Sequence, residues 1–203
     1  YALSELQVRK YYQQALIDML EQENFSFLLD APAEFSATDA TTINYLQARF
    51  NEGDTETRLF IARILSEINP NLFLNLVEAS VDASDQTLRR GMLEIMISGD
   101  LRNRATQTLY AQYLQDEDAQ VRRLALIGLE QYSDKGDTEF LDLCLRLLDD
   151  PDLEVRAQAL PRLIQSRSEH YVTPAMRVLD DFMLSNSLDK RTMGIQIIGQ
   201  AED

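Results

Sequence analysis

The chain has 203 residues, of which 45% are hydrophobic, so it can bury a core as one domain or one short repeat array. Lys and Arg total 19 against 34 Asp and Glu, and the formal net charge of −15 repels nucleic-acid phosphates and anionic lipid surfaces. Only seven glycines and five prolines are present, which favours long helices over turn-rich β structure, and no apolar run is long enough to cross a membrane.

Residues 1–40 differ in pattern from the rest of the chain. Apolar side chains at helical spacing over about residues 3–22 predict an amphipathic helix, and a less regular, partly aromatic stretch follows it. We interpret residues 1–40 as an N-terminal helix and capping segment that covers the apolar face of the next element. A degenerate first repeat is the alternative interpretation.

Residues 41–203 contain one pattern five times, each time anchored on an arginine. The anchors, spaced 31 to 35 residues apart, are Arg58, Arg89, Arg122, Arg156 and Arg191. Apolar residues follow three, four and seven positions after each anchor, as in Ala125, Leu126 and Leu129, and this spacing forms one stripe of an α-helix. We therefore predict that a helix begins near each anchor arginine.

Amphipathic segments also lie between the anchored helices. They cover residues 42–50, 72–81, 105–114, 138–148 and 171–184, and short polar turns separate them from the anchored helices. Each repeat is therefore a predicted pair of helices, in which the anchored helix comes second. The predicted fold class is all-α, a right-handed α-solenoid of about five helix pairs in which each pair stacks on the next.

Aspartates precede four of the five anchors by four residues. An aspartate at this position can cap the helix, because its carboxylate accepts hydrogen bonds from the first backbone N–H groups. The arginine can pair with its own aspartate or with that of a neighbouring repeat. We predict a structural ladder made of Asp54, Arg58, Asp85, Arg89, Asp118, Arg122, Asp152, Arg156 and Arg191. The alternative is a row of guanidinium groups that binds acidic peptides or phosphates.

The pattern Asp-x-x-x-Arg-x-x-Ala-Leu-x-x-Leu resembles the HEAT-repeat family. It is clearest in residues 118–129 and 152–160, and the resemblance covers roughly residues 40–200. Met92, Ser187 and Gly194 depart from the pattern in the other repeats. The resemblance implies an armadillo-like helical scaffold that binds other proteins.

A second, weaker resemblance concerns residues 9–12 and 58–62. These runs are similar to the soluble HEAT segment of bacterial membrane proteins related to nucleotide transporters, which implies a cytoplasmic segment tethered to other domains. The start at Tyr1 and the apolar Ile195 and Ile198 close to the other end lead us to expect a longer polypeptide. A single cysteine agrees with a reducing compartment, so we expect a cytoplasmic location.

The HEAT resemblance also implies that the second helices line an inner surface. Positions five and nine after each anchor are predicted to face outward there. The candidate partner-binding residues are Arg63, Glu67, Glu94, Ile127, Gln131, Gln165 and Gln196. This mixed, glutamine-rich set suits protein or peptide contact better than catalysis. Pro161 occupies one of the same positions, where we expect it to face solvent and to kink its helix.

Four further arginines lie near the second and third anchors. Arg90, Arg102 and Arg123 have no aspartate at helical spacing in the sequence, whereas Asp100 lies four residues before Arg104. They predict either a small basic spot that receives an acidic partner or ordinary solvated helix faces.

Residues able to perform catalysis or bind metals are few. Cys144 lies between two leucines, which predicts a buried apolar residue rather than a reactive thiol. His170 is the sole histidine, so a zinc site built from several His and Cys ligands is excluded. The acidic turn at residues 149–152 could bind calcium weakly, but a helix-capping turn is the favoured interpretation. We expect no catalytic residues, no cofactor and no metal.

The leading functional hypothesis is a non-catalytic scaffold or regulatory module for protein–protein interaction. Its expected partner is a protein or peptide, with no nucleic acid and no insertion of this segment into a membrane. The HEAT resemblance leaves two enzymatic alternatives, a bilin lyase-like subunit and a DNA glycosylase-like enzyme. The net charge of −15 and the absence of tryptophan argue against the glycosylase, and no residue of the sequence points to a bilin.

Overall fold

The fold is described from a computed structural model that covers residues 40–99, 101, 103–134 and 136–202. The predicted N-terminal helix and cap fall outside the described residues, apart from Ala40. All regular secondary structure in the described ranges is α-helical, so the predicted all-α fold class is confirmed there. The predicted right-handed twist and the number of pairs remain predictions.

Ten helices occupy the described part of the chain. They are α1 (Ala40–Glu52), α2 (Thr55–Ile68), α3 (Pro70–Ala79), α4 (Gln86–Ser98), α5 (Arg104–Tyr113), α6 (Ala119–Glu130), α7 (Thr138–Leu147), α8 (Leu153–Gln165), α9 (Glu169–Met183) and α10 (Leu188–Glu202). The anchor arginines lie in the first turns of α2, α4, α6, α8 and α10. The other five helices begin and end within two residues of the predicted bounds.

Side-chain caps explain where the anchored helices begin. Asp54 Oδ1 accepts a hydrogen bond of 2.9 Å from the Thr57 N–H, and Asp118 Oδ1 accepts one of 3.0 Å from the Val121 N–H. Asp85 and Asp152 accept from backbone N–H groups at the starts of α4 and α8 in the same way. The predicted capping role of these four aspartates is confirmed.

Three of the remaining helices have caps that the repeat pattern did not predict. Asn69, Asn103 and Asp137 accept hydrogen bonds of 3.2, 3.0 and 3.0 Å from backbone N–H groups in the first turns of α3, α5 and α7. Pro70 directly follows Asn69 at the first position of α3, where its missing N–H costs no hydrogen bond. The start of nearly every helix in these pairs is therefore set by its local sequence.

The first compact unit extends to Ile95, so the division between the two units falls within α4. In this unit α2 packs against both α1 and α3. Leu46, Ile61 and Phe73, one from each helix, are fully buried. The hydroxyl of Thr55, at the start of α2, donates to the Asp85 carboxylate that caps α4. A polar contact thus joins the first turns of two successive anchored helices.

The second compact unit extends from Met96 to Asp203. Here α8 packs against its own pair partner α7, against α6 of the pair before, and against α9 and α10 of the pair after. Positions three, four and seven after Arg122 and Arg156 are buried, with at most 5% of the side chain exposed. The predicted apolar stripe is confirmed for α6 and α8.

The last anchored helix departs from this stripe. Ile195 and Ile198, four and seven positions after Arg191, are 62% and 39% exposed. Gly194 is buried and lies against Met183 and Phe182 of the pair partner α9. Helix α10 therefore packs on α9 and α8 and leaves two of its predicted core residues exposed to solvent.

Gly128 allows the close approach of α5 and α6. A Cβ atom at this position would clash with the ring of Tyr110, whose side chain is only 1% exposed. We expect Gly128→Ala to lower the free energy of unfolding by about 1–2 kcal/mol, because overpacking outweighs the gain in helix propensity. Urea denaturation followed by circular dichroism would measure the change.

Gly199 provides the matched control, since a Cβ atom there would meet nothing within 4 Å. Gly199→Ala should raise the free energy of unfolding by about 0.5–1 kcal/mol, as for an exposed helical position. An equal change in the free energy of unfolding for both variants would show that the close packing at Gly128 does not affect stability.

Candidate functional site

Four of the anchor arginines make the same hydrogen bond. Each donates from its guanidinium group to the backbone carbonyl six residues earlier, in the turn before its helix. The acceptors, in chain order, are the carbonyls of Ala83, Asp116, Asp150 and Ser185. Arg58 reaches Phe50 and Asn51 in the corresponding place, at 3.0 and 3.1 Å. These arginines stabilise the turns of the repeats, because turn carbonyls lack helical partners.

Arg122 also ties its repeat to the next one. Its Nη2 lies 2.7 Å from Asp150 Oδ1 and its Nε lies 2.9 Å from Asp150 Oδ2, a bidentate ion pair. The two side chains are only 11% and 6% exposed. Asp150 further accepts from the Asp152 N–H at 2.9 Å, so it shapes the turn before α8. The partner of Arg122 is therefore Asp150 rather than a capping aspartate.

The environment of Asp150 favours its charged form. Burial raises the pKa of Asp150, but hydrogen bonds from the Arg122 guanidinium and the Asp152 N–H outweigh it, so the pKa lies below its ordinary value. The hydrogen bond to Asp150 also raises the pKa of Arg122. Both groups stay ionised at neutral pH, which agrees with a structural ion pair.

Further polar contacts join α6 to α8 and were not predicted. Gln120 Nε2 donates to Glu154 Oε2 at 2.6 Å, and Arg123 Nε lies 3.6 Å from the same oxygen. Near the other helix ends, Arg162 lies 3.4 Å from Glu130 and donates to the Ser133 carbonyl at 2.9 Å. Contacts made by single residues are not part of the repeat pattern, so the pattern could not predict them.

The structure describes three of the four arginines of the predicted basic spot. Arg123 pairs with Glu154 and Arg104 is exposed, both in the second unit. Arg90 belongs to the first unit, and Arg102 lies outside the described residues. A basic spot for an acidic partner remains a prediction.

The candidate partner-binding residues lie on anchored helices in both units. In the first unit Arg63 and Glu67 on α2 and Glu94 on α4 are exposed and charged. In the second unit Gln196 on α10 is exposed, whereas Ile127, Gln131 and Gln165 are partly exposed. Pro161 is buried within α8, contrary to the prediction that it faces solvent, and the helix continues through it.

One contact relates the ninth positions of two neighbouring anchored helices. Gln165 Nε2 on α8 donates to the backbone carbonyl of Gln200 on α10 at 2.9 Å. Gln131 is the equivalent residue at the end of α6, which packs against α8. A glutamine therefore lies at or within two residues of the end of three successive anchored helices, and we call Gln131, Gln165 and Gln200 the glutamine row.

An open cleft of about 430 Å³ lies elsewhere in the second unit. Its lining residues are Leu148, Asp149, Leu153, Arg156, Val178, Asp181, Phe182 and Lys190. Two acids and two bases share this cleft with four apolar side chains, so it has no preference for a ligand of one charge. Among the described residues no three His, Cys, Asp or Glu side chains form a group that could hold a metal ion.

Cys144 is fully buried in α7, as the sequence predicts. Burial, with a smaller contribution from nearby Glu130, raises the pKa of the Cys144 thiol to about 12. A thiol that stays protonated and covered at neutral pH is a poor nucleophile and a poor metal ligand.

Comparison with known proteins identifies the repeats. A family model described as HEAT repeats matches residues 106–188, which extend from α5 to the first residue of α10. These residues are similar to HEAT repeats, which are helical repeats that often mediate protein interaction. No curated protein matches the chain. The weaker resemblance to segments of nucleotide-transporter-like proteins gains no support. No described helix is both long and apolar enough to span a membrane.

Loss of the Arg122–Asp150 pair should destabilise the fold in a pH-dependent way. Asp150→Asn leaves a largely buried guanidinium without its charged partner, so we expect a loss of about 1–3 kcal/mol at pH 7. A lowered carboxyl pKa stabilises the folded state above the unfolded pKa of about 3.9, and this contribution is lost as pH falls through the lower folded pKa. The difference in the free energy of unfolding between the wild-type chain and Asp150→Asn should therefore decrease as the pH falls from about 5 to about 3.

Urea denaturation at several pH values would measure this difference. Asp149→Asn removes an exposed acid from the same turn and serves as the matched control, with an expected change within about 0.5 kcal/mol. Equal stability of the two variants at pH 7 would show that the ion pair contributes nothing.

The Cys144 thiol should react slowly in the folded protein. With an aromatic disulfide reagent at pH 8, we expect modification at least about 100-fold slower than in urea-unfolded chain, because the thiolate is both disfavoured and covered. Absorbance of the released aromatic thiol would follow the reaction. Modification of folded protein at the rate of the unfolded chain would contradict the buried position.

Proposed function

We propose that the chain is a non-catalytic scaffold or regulatory module that binds a protein or peptide through its anchored helices. The observation that most directly supports this proposal is the hydrogen bond from Gln165 to Gln200. It sets the ninth positions of neighbouring anchored helices side by side. The HEAT-repeat match is the second support, since such repeats often mediate protein interaction. We also propose a cytoplasmic location, because the single cysteine agrees with a reducing compartment.

The glutamine row offers hydrogen bonds to a peptide main chain. A glutamine amide both donates and accepts, so the row can bind backbone N–H and C=O groups without demanding charge on the partner. Ile127, partly exposed on α6, adds an apolar contact. These groups suit an extended peptide that crosses the ends of α6, α8 and α10.

The first unit presents charged groups at the equivalent positions. Arg63, Glu67 and Glu94 are exposed, so contacts there would be ion pairs at the rim of an interface. Such pairs contribute more to association rate and orientation than to affinity. We therefore assign most of the binding energy to the second unit.

Capture of partners with paired variants tests this proposal. Gln131→Arg with Gln165→Arg places two cations on the glutamine row, and we expect at least a tenfold (about 1.4 kcal/mol) weaker capture of partner proteins. The matched control is Gln107→Arg with Gln112→Arg, which makes the same charge change at exposed positions on α5. Quantitative mass spectrometry of proteins retained by the immobilised chain gives the readout.

Two results would contradict the proposal. The first is a folded wild-type chain that retains no protein above a bare-resin control. The second is equal retention by the row variant and the control variant. Circular dichroism and thermal unfolding of each variant confirm that differences do not arise from misfolding.

A further inference from the structure

The turns before α6, α8 and α10 share one hydrogen bond. In each turn the side chain six positions before the anchor arginine accepts from the backbone N–H two residues further along. The three acceptors are Asp116 at 2.8 Å, Asp150 at 2.9 Å and Ser185 at 3.2 Å. These residues are therefore structural equivalents in successive repeats, and Ser185 alone among the three has no carboxylate.

The lack of a carboxylate at Ser185 leaves one edge of Arg156 without a partner. Arg122 donates from Nη1 to the Asp116 carbonyl, and its Nε and Nη2 bind the Asp150 carboxylate of the following repeat. Arg156 likewise donates from Nη1 to the Asp150 carbonyl in the turn before its own helix. In the described ranges, however, its Nε and Nη2 make no hydrogen bond and no ion pair. A bidentate donor is thus available at this junction.

Arg156 lines the open cleft of about 430 Å³ in the second unit. The lining residues come from the turn after α7 and from α8, α9 and α10. The cleft therefore lies between two successive helix pairs, and the structure describes both of its walls. Its volume is within the range of small-ligand sites, which is about 300–1,000 Å³.

Lys190 brings a second cation to this cleft. It lies directly before Arg191, at a position where the four earlier anchored helices have uncharged side chains. Those side chains are at most 5% exposed and belong to Thr57, Leu88, Val121 and Val155. The junction that contains the cleft therefore lacks a carboxylate and gains a cation. Both differences favour an anionic group in the ligand.

The remaining lining residues show that the ligand is not a simple anion. Asp149 and Asp181 are exposed carboxylates, which attract a basic group and repel a ligand that carries only negative charge. Apolar contacts come from Leu148, Leu153, Val178 and Phe182. A ligand with a carboxylate, an aliphatic group and a basic group matches all three kinds of side chain. A short peptide segment supplies these groups together.

We propose that the cleft binds a segment of a partner protein in which an acidic residue lies next to an aliphatic and a basic residue. The acidic side chain binds Arg156 as Asp150 binds Arg122, and Lys190 adds a second positive charge. The aliphatic residue packs on the apolar part of the lining. The basic residue lies near the two exposed acids.

This cleft is distinct from the glutamine row. Lys190 and Gln200 are ten residues apart on α10, which corresponds to about 15 Å along the helix. The proposal therefore goes beyond the interaction role above, and the two sites can be tested independently.

Binding of a short peptide to the folded 203-residue chain tests the proposal. The probe is the pentapeptide Lys-Leu-Asp-Leu-Lys, acetylated and amidated so that the aspartate carries its only carboxylate. Nitrogen-15 NMR follows the side-chain Nε–H signals, and we expect the signal of Arg156 to shift in a saturable manner while that of Arg104 stays unchanged. The same peptide with asparagine in place of aspartate should bind at least about tenfold more weakly, because the charged hydrogen bonds are lost.

A carboxylate built into the chain should occupy the same place as the ligand. Ser185→Asp should pair with Arg156 as Asp150 pairs with Arg122, and should therefore weaken peptide binding at least about tenfold. Ser185→Asn is the matched control, because it has the same size and keeps an acceptor for the turn without adding charge. It should change the dissociation constant less than about threefold.

A second pair of variants tests the added cation. Lys190→Gln should weaken peptide binding about threefold or more, because one of the two positive charges in the cleft is lost. Arg104→Gln removes the same charge from an exposed position on α5, which contributes nothing to the lining, and should have an effect of less than about twofold.

Three results would overturn the proposal. They are the absence of a saturable shift of the Arg156 signal, equal binding of the two peptides, and equal binding by the Ser185→Asp and Ser185→Asn chains. Isovalerate, an aliphatic acid without a basic group, is titrated in the same way, and binding as tight as that of the peptide would assign the cleft to free acids instead of a protein segment. Gln131→Arg with Gln165→Arg should leave peptide binding unchanged, so failure of the glutamine row would be recognised separately.

Discussion

In each helix pair the second, anchored helix has to be buried on two faces, and the rest of the structure depends on this constraint. A pair of short helices cannot cover two faces of one helix, so stability in such repeats comes from nearest-neighbour interfaces. The residues three, four and seven positions after Arg122 and Arg156 show this directly, since they are almost fully covered. Packing of this kind requires close approach, which is why a glycine faces Tyr110 between α5 and α6.

The anchor arginines also provide hydrogen bonds to the polar backbone groups of the turns between stacked helices. A turn that lies between packed pairs has carbonyl groups without helical partners, and an unpaired polar group near the core costs free energy. A guanidinium group has five donors in a fixed geometry, so one arginine can satisfy a turn carbonyl and still pair with a carboxylate. Arg122 does both, through Asp116 and Asp150.

In the proposed scaffold role, surfaces rather than reactive groups bind the partner. Most of the anchor arginines are used inside the fold, the buried thiol of Cys144 is held in its protonated form, and the cleft in the second unit carries balanced charge. The glutamine row remains as a surface whose amide groups can donate and accept hydrogen bonds.

Local sequence determined the helices, their caps and the buried stripe, because these depend on contacts within a few residues. The period of the apolar side chains and the aspartate four residues before each arginine were sufficient to place α2, α4, α6 and α8. Tertiary structure decided which acid pairs with Arg122, that Pro161 is buried, and that Ile195 and Ile198 are exposed. The physical reason is that these outcomes depend on a neighbouring repeat about 30 residues away, whose presence and position no local pattern records.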